Sequence, residues 1–230
     1  MRVATFNVHH GTVGRDGPVD PQRLGEVCAG FEADVLALQE VDVGTWRAGR
    51  ADLAAEVAHA CGMAEVFGAS RWFPGGRYGN ALLVRGELAS WSLIALPRVP
   101  RWRWWQERRT LLEATVVVGG RPWSVAVTHL AVPQAVNGPQ LDRVLELVAP
   151  RPTPLVVLGD LNRFPSTVEP AARGAGLAYV PHGPTAPVPG RRLVIDHCLV
   201  SPDVVVAGVE VRSTPMSDHA ALLVDLEPPT

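Results

Sequence analysis

The stretch Leu155-Val156-Val157-Leu158-Gly159-Asp160-Leu161-Asn162 decides the fold, because it combines a short apolar run with polar residues at its end. A run of this length and composition is typical of a strand that is buried on both faces. Gly159 allows another backbone to approach closely, and the carboxylate of Asp160 follows directly. Asn162 then lies where its side chain can orient water or a ligand, although an Asx-turn would also explain both polar residues. The stretch therefore predicts a buried strand that delivers polar side chains to the rim of a sheet.

Three more apolar runs end at a polar residue in the same way, at Asn7, Glu40 and His129. A carboxylate such as Glu40 at the end of a buried strand is costly unless it is paired or binds a cation. The alternative is a glutamate that faces solvent in a loop beside Asp42. His129, taken by itself, is more often a hydrogen-bonded core residue than a catalytic one. Taken together, these positions predict one rim that collects polar side chains from several strands.

Two segments near the C-terminus pair a carboxylate with a histidine. Asp196 lies in an Ile-Asp-His motif, and His219 ends the motif Ser217-Asp218-His219. A carboxylate that accepts a hydrogen bond from one imidazole nitrogen fixes the tautomer and raises the pKa of the ring. We therefore predict that Asp196 orients His219, and that Asp218 is placed to reach a metal ion. A simple turn before the last strand is the alternative for this segment.

Two further motifs lie close to other apolar runs. His9 and His10 follow Asn7 and imitate a zinc-binding pair. Adjacent residues on an extended chain point in opposite directions, so we do not expect both rings to bind one metal ion. Tyr78-Gly79-Asn80 precedes an apolar run, and its glycine gives a ligand room near the backbone. A plain turn at the entry of a strand is the alternative for that motif.

Strand-like and helical patterns are mixed along the whole chain, with hairpins between the crossovers. Asp20-Pro21 is a typical helix start, because a capping carboxylate precedes a proline that lacks an N–H. This mixture predicts two packed sheets flanked by helices, in a single domain over residues 1–230. The predicted helices begin at residue 21 and span 51–61, 134–148 and 169–175. The predicted strands span 2–8, 34–39, 80–85, 89–96, 110–118, 123–128, 155–158, 193–200, 204–211 and 220–226.

The composition is that of a globular chain, with 47% hydrophobic residues and a formal net charge of −2 over 230 residues. This balance excludes a general basic field that would attract nucleic acid. Cys28, Cys61 and Cys198 are scattered, which predicts buried thiols and neither a disulfide framework nor a thiolate zinc site. The N-terminus lacks the apolar stretch of a signal peptide, and no run reaches the roughly 18 apolar residues of a membrane span. We therefore expect a cytoplasmic protein without a transmembrane segment.

Residues 98–109 combine five arginines with three of the seven tryptophans of the chain. Interleaved arginine and tryptophan suit single-stranded bases, sugars or a membrane surface. A pair of strands that packs the indole rings inward is an equally good explanation. This segment therefore leaves the class of ligand open.

The ordered motifs from Thr5-Phe6-Asn7 to Ser217-Asp218-His219 resemble the endonuclease/exonuclease/phosphatase superfamily, and the resemblance covers nearly the whole chain. It implies a four-layer α/β sandwich, in which two mixed sheets pack face to face between helices and the site lies at one rim. It also implies a divalent metal ion, usually Mg²⁺ with Mn²⁺ as a substitute. The implied reaction is hydrolysis of a phosphoester by in-line attack of water.

The resemblance implies a role for each matching residue. Glu40 would be the principal metal ligand, helped by Asn7 and Asp218. Asp160 would be the general base, or the group that positions the attacking water. The remaining catalytic residues would contact the phosphate or the leaving group, and they are Asn162, His129, and His219 oriented by Asp196.

Other motifs resemble the sphingomyelinase-like branch of small bacterial hydrolases. Tyr78-Gly79-Asn80 and Glu107-Arg108-Arg109 fit that branch, which makes Tyr78, Asn80 and Arg109 candidate substrate contacts. The apurinic endonuclease branch usually has a lysine soon after the glutamate motif, whereas Asp42 and no lysine follow here. The segment Pro184-Thr185-Ala186-Pro187, which precedes Asp196, also lacks the aromatic side chain that often follows the threonine in this family.

The sequence therefore predicts a divalent-metal-dependent phosphodiesterase or phosphatase that acts on a small or lipid-like phosphoester. A nuclease acting on DNA or RNA is the alternative enzyme, and its activity would fall steeply with salt because of its phosphate contacts. A catalytically inactive binding module is the alternative from a different class, since function belongs to the site and not to the fold.

Overall fold

The computed structural model describes residues 1–99, 106–149, 154–188 and 191–227 of the chain. Within these residues, two mixed six-stranded sheets pack face to face and are flanked by four helices. A separate two-stranded ribbon pairs β10 (Ala186–Val188) with β11 (Arg191–Leu193).

The first sheet is built from β1 (Arg2–Asn7), β2 (Val35–Val43), β3 (Ala64–Phe73), β4 (Gly76–Val84), β13 (Val205–Arg212) and β14 (Ala221–Glu227). Their order across the sheet is β13-β14-β1-β2-β4-β3. The pair β1/β2 is parallel and the other neighbours are antiparallel. The carboxyl ends of the two central strands therefore meet at the same edge.

The second sheet is built from β5 (Glu87–Ala95), β6 (Thr110–Val118), β7 (Arg121–His129), β8 (Leu155–Asp160), β9 (Ala178–Tyr179) and β12 (Asp196–Val200). Their order is β5-β6-β7-β8-β12-β9. Only β7/β8 among these neighbouring pairs is parallel. The predicted strands 110–118 and 123–128 are confirmed as β6 and β7, which form a hairpin around Gly119-Gly120.

The helices form the outer layers, so the predicted four-layer α/β sandwich is confirmed. Two of them pack on the first sheet and two on the second. The first helix begins where predicted, and the Asp20 carboxylate accepts a hydrogen bond from the backbone N–H of Arg23 at 3.0 Å. The helices are α1 (Pro21–Ala29), α2 (Leu53–Cys61), α3 (Gln134–Val148) and α4 (Pro165–Gly174).

On β7 and β8, the face that packs in the core also carries the last residue at the rim. On β8, Val156 and Leu158 face the opposite sheet in the central apolar core, and the next position on that face is Asp160. On β7 the same alternation leads from Val127 to His129. The inner faces of these strands therefore change from apolar to polar at one edge of the sandwich.

Several predicted boundaries were wrong. β2 does not stop before Glu40 but continues to Val43. A bulge between Leu38 and Val41 shifts its register with β4, and the pairing then resumes beyond Glu40. β3 has no predicted counterpart, and α4 begins earlier than predicted, at Pro165. The predicted strand 193–200 is interrupted between β11 and β12.

Other predictions concern single residues and segments. Cys28, Cys61 and Cys198 are buried free thiols, as predicted. Among the described residues, no helix combines the length and the apolar character needed to cross a bilayer. The three tryptophans of the 98–109 segment lie outside the described residues, as do Arg101 and Arg103, so the roles considered for this segment stay predictions.

Gly159 generates a test of the pairing between β7 and β8. Its φ is +151°, and a Cβ atom there would lie 1.9 Å from the carbonyl oxygen of Thr128. We expect Gly159→Ala to lower the free energy of unfolding by about 3 kcal/mol, because the two strands would have to separate. Urea denaturation measures this change.

Gly174→Ala is the matched control, since a Cβ atom at this position in α4 meets no heavy atom within 4 Å. Alanine is the better helix former, so we expect unchanged or slightly higher stability. Equal stability of the two variants would contradict the close approach at Gly159.

Candidate active site

Polar side chains from both sheets converge at one rim of the sandwich. They come from the carboxyl ends of β1, β7 and β8, the bulge of β2, the amino end of β12 and the bend before β14. In the β8/β12 ladder, two of the three carboxylates of this set, those of Asp160 and Asp196, lie directly opposite each other. The residues at these positions are, in the same order, Asn7, His129, Asp160, Glu40, Asp196 and His219.

The buried amide of Asn7 joins the two sheets. Its Nδ2 donates to Oε1 of Glu40 in its own sheet and to Oδ2 of Asp160 in the opposite sheet, at 3.1 Å in both cases. Its Oδ1 accepts from the backbone N–H of His9 at 3.1 Å. One amide therefore fixes the positions of two carboxylates.

Glu40 reaches this rim because of the bulge in β2. Its φ is +59°, in the left-handed region that residues with a Cβ atom seldom adopt. An unbroken strand would direct this side chain to the outer face, whereas the bulge re-aims it toward the site. The carboxylate is 19% exposed, and its Oε2 lies 3.3 Å from Nδ1 of His10.

Asp160 is buried and held from three directions. Its Oδ1 accepts from the backbone N–H of Asn162 at 2.9 Å, Asn7 donates to its Oδ2, and Nε2 of His129 lies 3.5 Å from that oxygen. The first contact is the Asx-turn considered above, so the turn and the site coexist. Burial, followed by the charge of Asp196, raises the pKa of Asp160 to about 7, against the opposing effect of a nearby imidazolium. Such a carboxyl group can exchange a proton at neutral pH.

Asp196 and His219 form the predicted pair, with Nδ1 of the ring 2.9 Å from Oδ2 of the carboxylate. Burial by itself would lower the pKa of His219, but the charge and hydrogen bond of Asp196, with smaller effects of Asp160 and Asp218, raise it to about 10. Burial by itself would raise the pKa of Asp196, but the imidazolium outweighs it and lowers that pKa. The pair therefore consists of an imidazolium and a carboxylate.

Two residues that the sequence did not assign hold this pair in place. Ser217 has φ +66°, donates from Oγ to the backbone oxygen of Asn7 at 2.6 Å, and accepts from the backbone N–H of His219 at 3.1 Å. Thr185 is buried, and its Oγ accepts from the backbone N–H of Asp196 at 3.3 Å. Their side chains are small and common in turns, so no local pattern distinguishes them.

His9 and His10 do not lie on an extended chain, so the expectation that their rings diverge was wrong. They occupy a short 3₁₀ turn, with φ values of +44° and +55°, and their ring centroids are 4.5 Å apart. Burial, followed by the charge of Arg47, lowers the pKa of His10 to about 4, which leaves its ring neutral. Asp218 lies beside them, with Oδ1 3.5 Å from Nδ1 of His9.

Among the described residues, acidic and histidine side chains form two groups that could hold a metal ion. One contains His9, His10 and Glu40, and the other contains Asp160, Asp196 and His219; in each, the ligand atoms lie within 4.8 Å of one another. The second group includes an imidazolium that already donates to a carboxylate. In the first group, Nδ1 of His10 has no hydrogen-bond partner in the described part of the chain, so this group has the ligand atom that is more available to a metal ion.

The three predicted substrate contacts are buried. Asn80 lies on β4 opposite the bulge of β2, and its Nδ2 has no hydrogen-bond partner among the described residues. Nε of Arg109 likewise has no hydrogen-bond partner among the described residues. Burial, followed by the charge of Arg109, lowers the pKa of His129. Burial, followed by the charge of Glu40, raises the pKa of Tyr78, which keeps the phenol protonated. Unpartnered buried donors are costly, so an acceptor from a ligand would stabilise them.

A cavity of about 190 Å³ adjoins the site on the His219 side. Its lining combines hydroxyl groups with one arginine and the Asp218 carboxylate. This volume accommodates a small polar group next to the imidazolium. The lining includes Thr185, Arg192, Ser213, Thr214, Asp218 and His219.

Comparisons with known proteins agree with this architecture. The family model described as "Endonuclease/Exonuclease/phosphatase family" matches residues 4–219. An endonuclease/exonuclease/phosphatase from Beutenbergia cavernae superposes with a TM-score of 0.84 at 25% identity, covering 100% of this chain and 72% of that protein. Among curated protein sequences, none matches the chain.

Two further solved structures share the fold at lower identity. An endonuclease/exonuclease/phosphatase from Bacteroides vulgatus has a TM-score of 0.76 at 18% identity and covers 99% of this chain and 98% of its own. A mannosyl-6-phosphatase from Bacteroides thetaiotaomicron has a TM-score of 0.75 at 17% identity and covers 99% of both chains.

The pairing of Asp196 with His219 can be tested by NMR titration of the protein with isotope-labelled histidine, in metal-free buffer. We expect the His219 ring to stay protonated at pH 8.5 and to lose its proton only near pH 10. Asp196→Asn should lower this pKa by roughly 2 units, because the opposite charge is removed. Asp218→Asn is the comparison and should lower it less. An unchanged His219 pKa in Asp196→Asn would contradict the pairing.

Proposed function

Because the chain belongs to the endonuclease/exonuclease/phosphatase family, we propose that it is a divalent-metal-dependent hydrolase of phosphoesters. The observation that carries this proposal is the convergence of Glu40, Asp160 and the Asp196–His219 pair around Asn7. Hydrolysis of a phosphoester needs a proton acceptor for water, positive charge near the leaving oxygen and donors for the phosphoryl oxygens. Each of these requirements has a candidate residue at the rim.

Glu40 is the residue best suited to hold the metal ion. Among the described residues, its carboxylate contacts the amide of Asn7 and the neutral ring of His10 and forms no ion pair with an arginine. Its charge is therefore free for a cation. Carboxylate and amide oxygens suit Mg²⁺, with Mn²⁺ as a substitute, so Asn7 and Asp218 would complete the set. A bound divalent cation supplies positive charge that stabilises the phosphoryl oxygens in the transition state.

Asp160 would accept the proton of the attacking water. Its pKa of about 7 matches this task at neutral pH, since a base is most effective when its pKa lies near the operating pH. Asn162 and His129 hold its carboxylate from either side, which leaves it little freedom to rotate. We assign these two residues to orienting Asp160 and the phosphate next to it.

His219 would act at the leaving oxygen. Its Nδ1 is engaged by Asp196, so Nε2 is the nitrogen that presents a proton to the substrate. The imidazolium stabilises negative charge that develops on the leaving oxygen and then donates its proton. The adjoining cavity, which contains Arg192 and Thr214, would receive the leaving group.

The buried donors on the other side of the site would bind the phosphate. Asn80 and Arg109 each present an unpartnered N–H, and Tyr78 presents a protonated phenol. The small cavity favours a small or lipid-like phosphoester. A structural neighbour named as a mannosyl-6-phosphatase supports a compact phosphoester as the substrate class.

Substitution of the proton-transfer residues tests the proposed roles. We expect Asp160→Asn and His219→Asn each to lower kcat for bis(p-nitrophenyl) phosphate or p-nitrophenyl phosphate about 100-fold, as is typical of positioned acid–base groups. His59→Ala, on the exposed face of α2, is the control and should retain full activity. Circular dichroism should show that all three variants remain folded. Near-normal turnover by Asp160→Asn would remove its assignment as the base.

Metal removal tests the dependence on a cation. We expect dialysis against EDTA to abolish hydrolysis and added Mg²⁺ or Mn²⁺ to restore it. Glu40→Gln should raise the metal concentration needed for half-maximal activity at least 10-fold, since the amide lacks the negative charge of the principal ligand. A wild-type protein that binds no divalent cation and cleaves no phosphoester would instead be an inactive binding module.

A further inference from the structure

We propose that His9 and His10 join Glu40 in a mixed nitrogen–oxygen metal site, so that the site prefers a first-row transition ion over Mg²⁺. This inference rests on the proposed function, because it concerns the identity of the same metal ion. It departs from the oxygen-only set of Asn7, Glu40 and Asp218. The reasons lie in the position, the backbone conformation and the chemistry of the two rings.

The three side chains are close enough to share one ion. Their ligand atoms lie within 4.8 Å of one another, and Nδ1 of His10 is 3.3 Å from Oε2 of Glu40. Two ligands bound to one transition ion at about 2.1 Å lie roughly 3–4 Å apart. The His10–Glu40 distance already falls in this range, and the remaining distances, which are within 4.8 Å, would shorten by about 1–2 Å on binding.

The backbone is strained at all three positions. His9, His10 and Glu40 have φ values of +44°, +55° and +59°, although each carries a Cβ atom that disfavours the left-handed region. Glycine or asparagine would serve a simple turn at lower cost. Strain of this kind persists where the surrounding structure imposes it, and it is concentrated at functional sites. Here it aims three side chains at one point.

His10 is chemically suited to bind a metal ion. Its Nδ1 is buried and has no hydrogen-bond partner among the described residues, although a carboxylate lies 3.3 Å away. A cation bound between this nitrogen and the carboxylate would give both atoms a partner.

His9 connects the group to another predicted ligand. Its Nδ1 lies 3.5 Å from Oδ1 of Asp218 and 3.4 Å from the hydroxyl of Thr12. These contacts hold the His9 ring at the edge of the site, where it would bind the ion next to Asp218.

The choice of metal follows from these donors. Mg²⁺ prefers oxygen ligands and keeps several waters, whereas imidazole nitrogen favours transition ions such as Fe²⁺ and Zn²⁺. A set of two histidines and one carboxylate is typical of such ions in other proteins. Mn²⁺ accepts both kinds of donor and is paramagnetic, which makes it the probe for the test.

The experiment is pulsed electron paramagnetic resonance of the whole chain loaded with Mn²⁺. We expect modulation from directly bound ¹⁴N in the wild-type protein, and its loss in the double variant His9→Gly, His10→Gly. Glycine removes both rings and tolerates positive φ, so the turn is preserved. His59→Ala is the control and should retain the nitrogen signal. Calorimetry should show at least 100-fold tighter binding of Mn²⁺ than of Mg²⁺, falling below 10-fold in the double variant.

The outcomes separate this inference from the proposed function. Bound Mn²⁺ without ¹⁴N modulation, with the same preference over Mg²⁺ in both proteins, would overturn the inference and leave an oxygen-only hydrolase site. A nitrogen signal in a protein that cleaves no phosphoester with any metal ion would support the site and reject the proposed function. Failure to bind either ion would reject both.

Discussion

The site depends on the two hydrogen bonds that the Asn7 amide donates, one within its own sheet and one across the interface between the sheets. One reaches Glu40 beside it, and the other reaches Asp160 on the facing sheet. Buried carboxylates are costly unless they are paired, so a single amide that satisfies both fixes the distance between them. The bond to Asp160 therefore links the two sheets at the rim, at the point where the apolar core between them ends.

Charge balance explains why this rim suits a cation and an anionic substrate. The carboxylates of Glu40 and Asp160 are bridged by the amide of Asn7, and the carboxylate of Asp196 pairs with the imidazolium of His219. Burial, followed by the charge of Asp196, raises the pKa of Asp160, and a divalent cation close by would offset the charge of Glu40. Asn80 lies opposite the bulge that carries Glu40, and a phosphate bound beside the proposed cation would complete the hydrogen bonds of its amide and of Nε of Arg109.

The sequence predicts the parts of this site that follow from local patterns. An apolar strand that ends in a polar residue identifies Asp160 and His129, the mixture of strands and helices predicts two packed sheets flanked by helices, and the family resemblance implies the four-layer sandwich. The bulge at Glu40 has no local signal, because it arises from the pairing of β2 with β4. The turn at His9 and His10 was mispredicted for a related reason: left-handed backbone at residues with a Cβ atom runs against their own preference. β3 was missed because Gly68 and several polar residues interrupt its apolar pattern.

The most direct test of the account is the position of a bound cation in crystals grown with Mn²⁺, located by anomalous scattering at the manganese edge. The account predicts a peak about 2.0–2.3 Å from a carboxylate oxygen of Glu40, in the same cleft as the His219 ring. A Mn²⁺ ion bound away from Glu40, or a Glu40 side chain that opens onto a different face from His219, would contradict it.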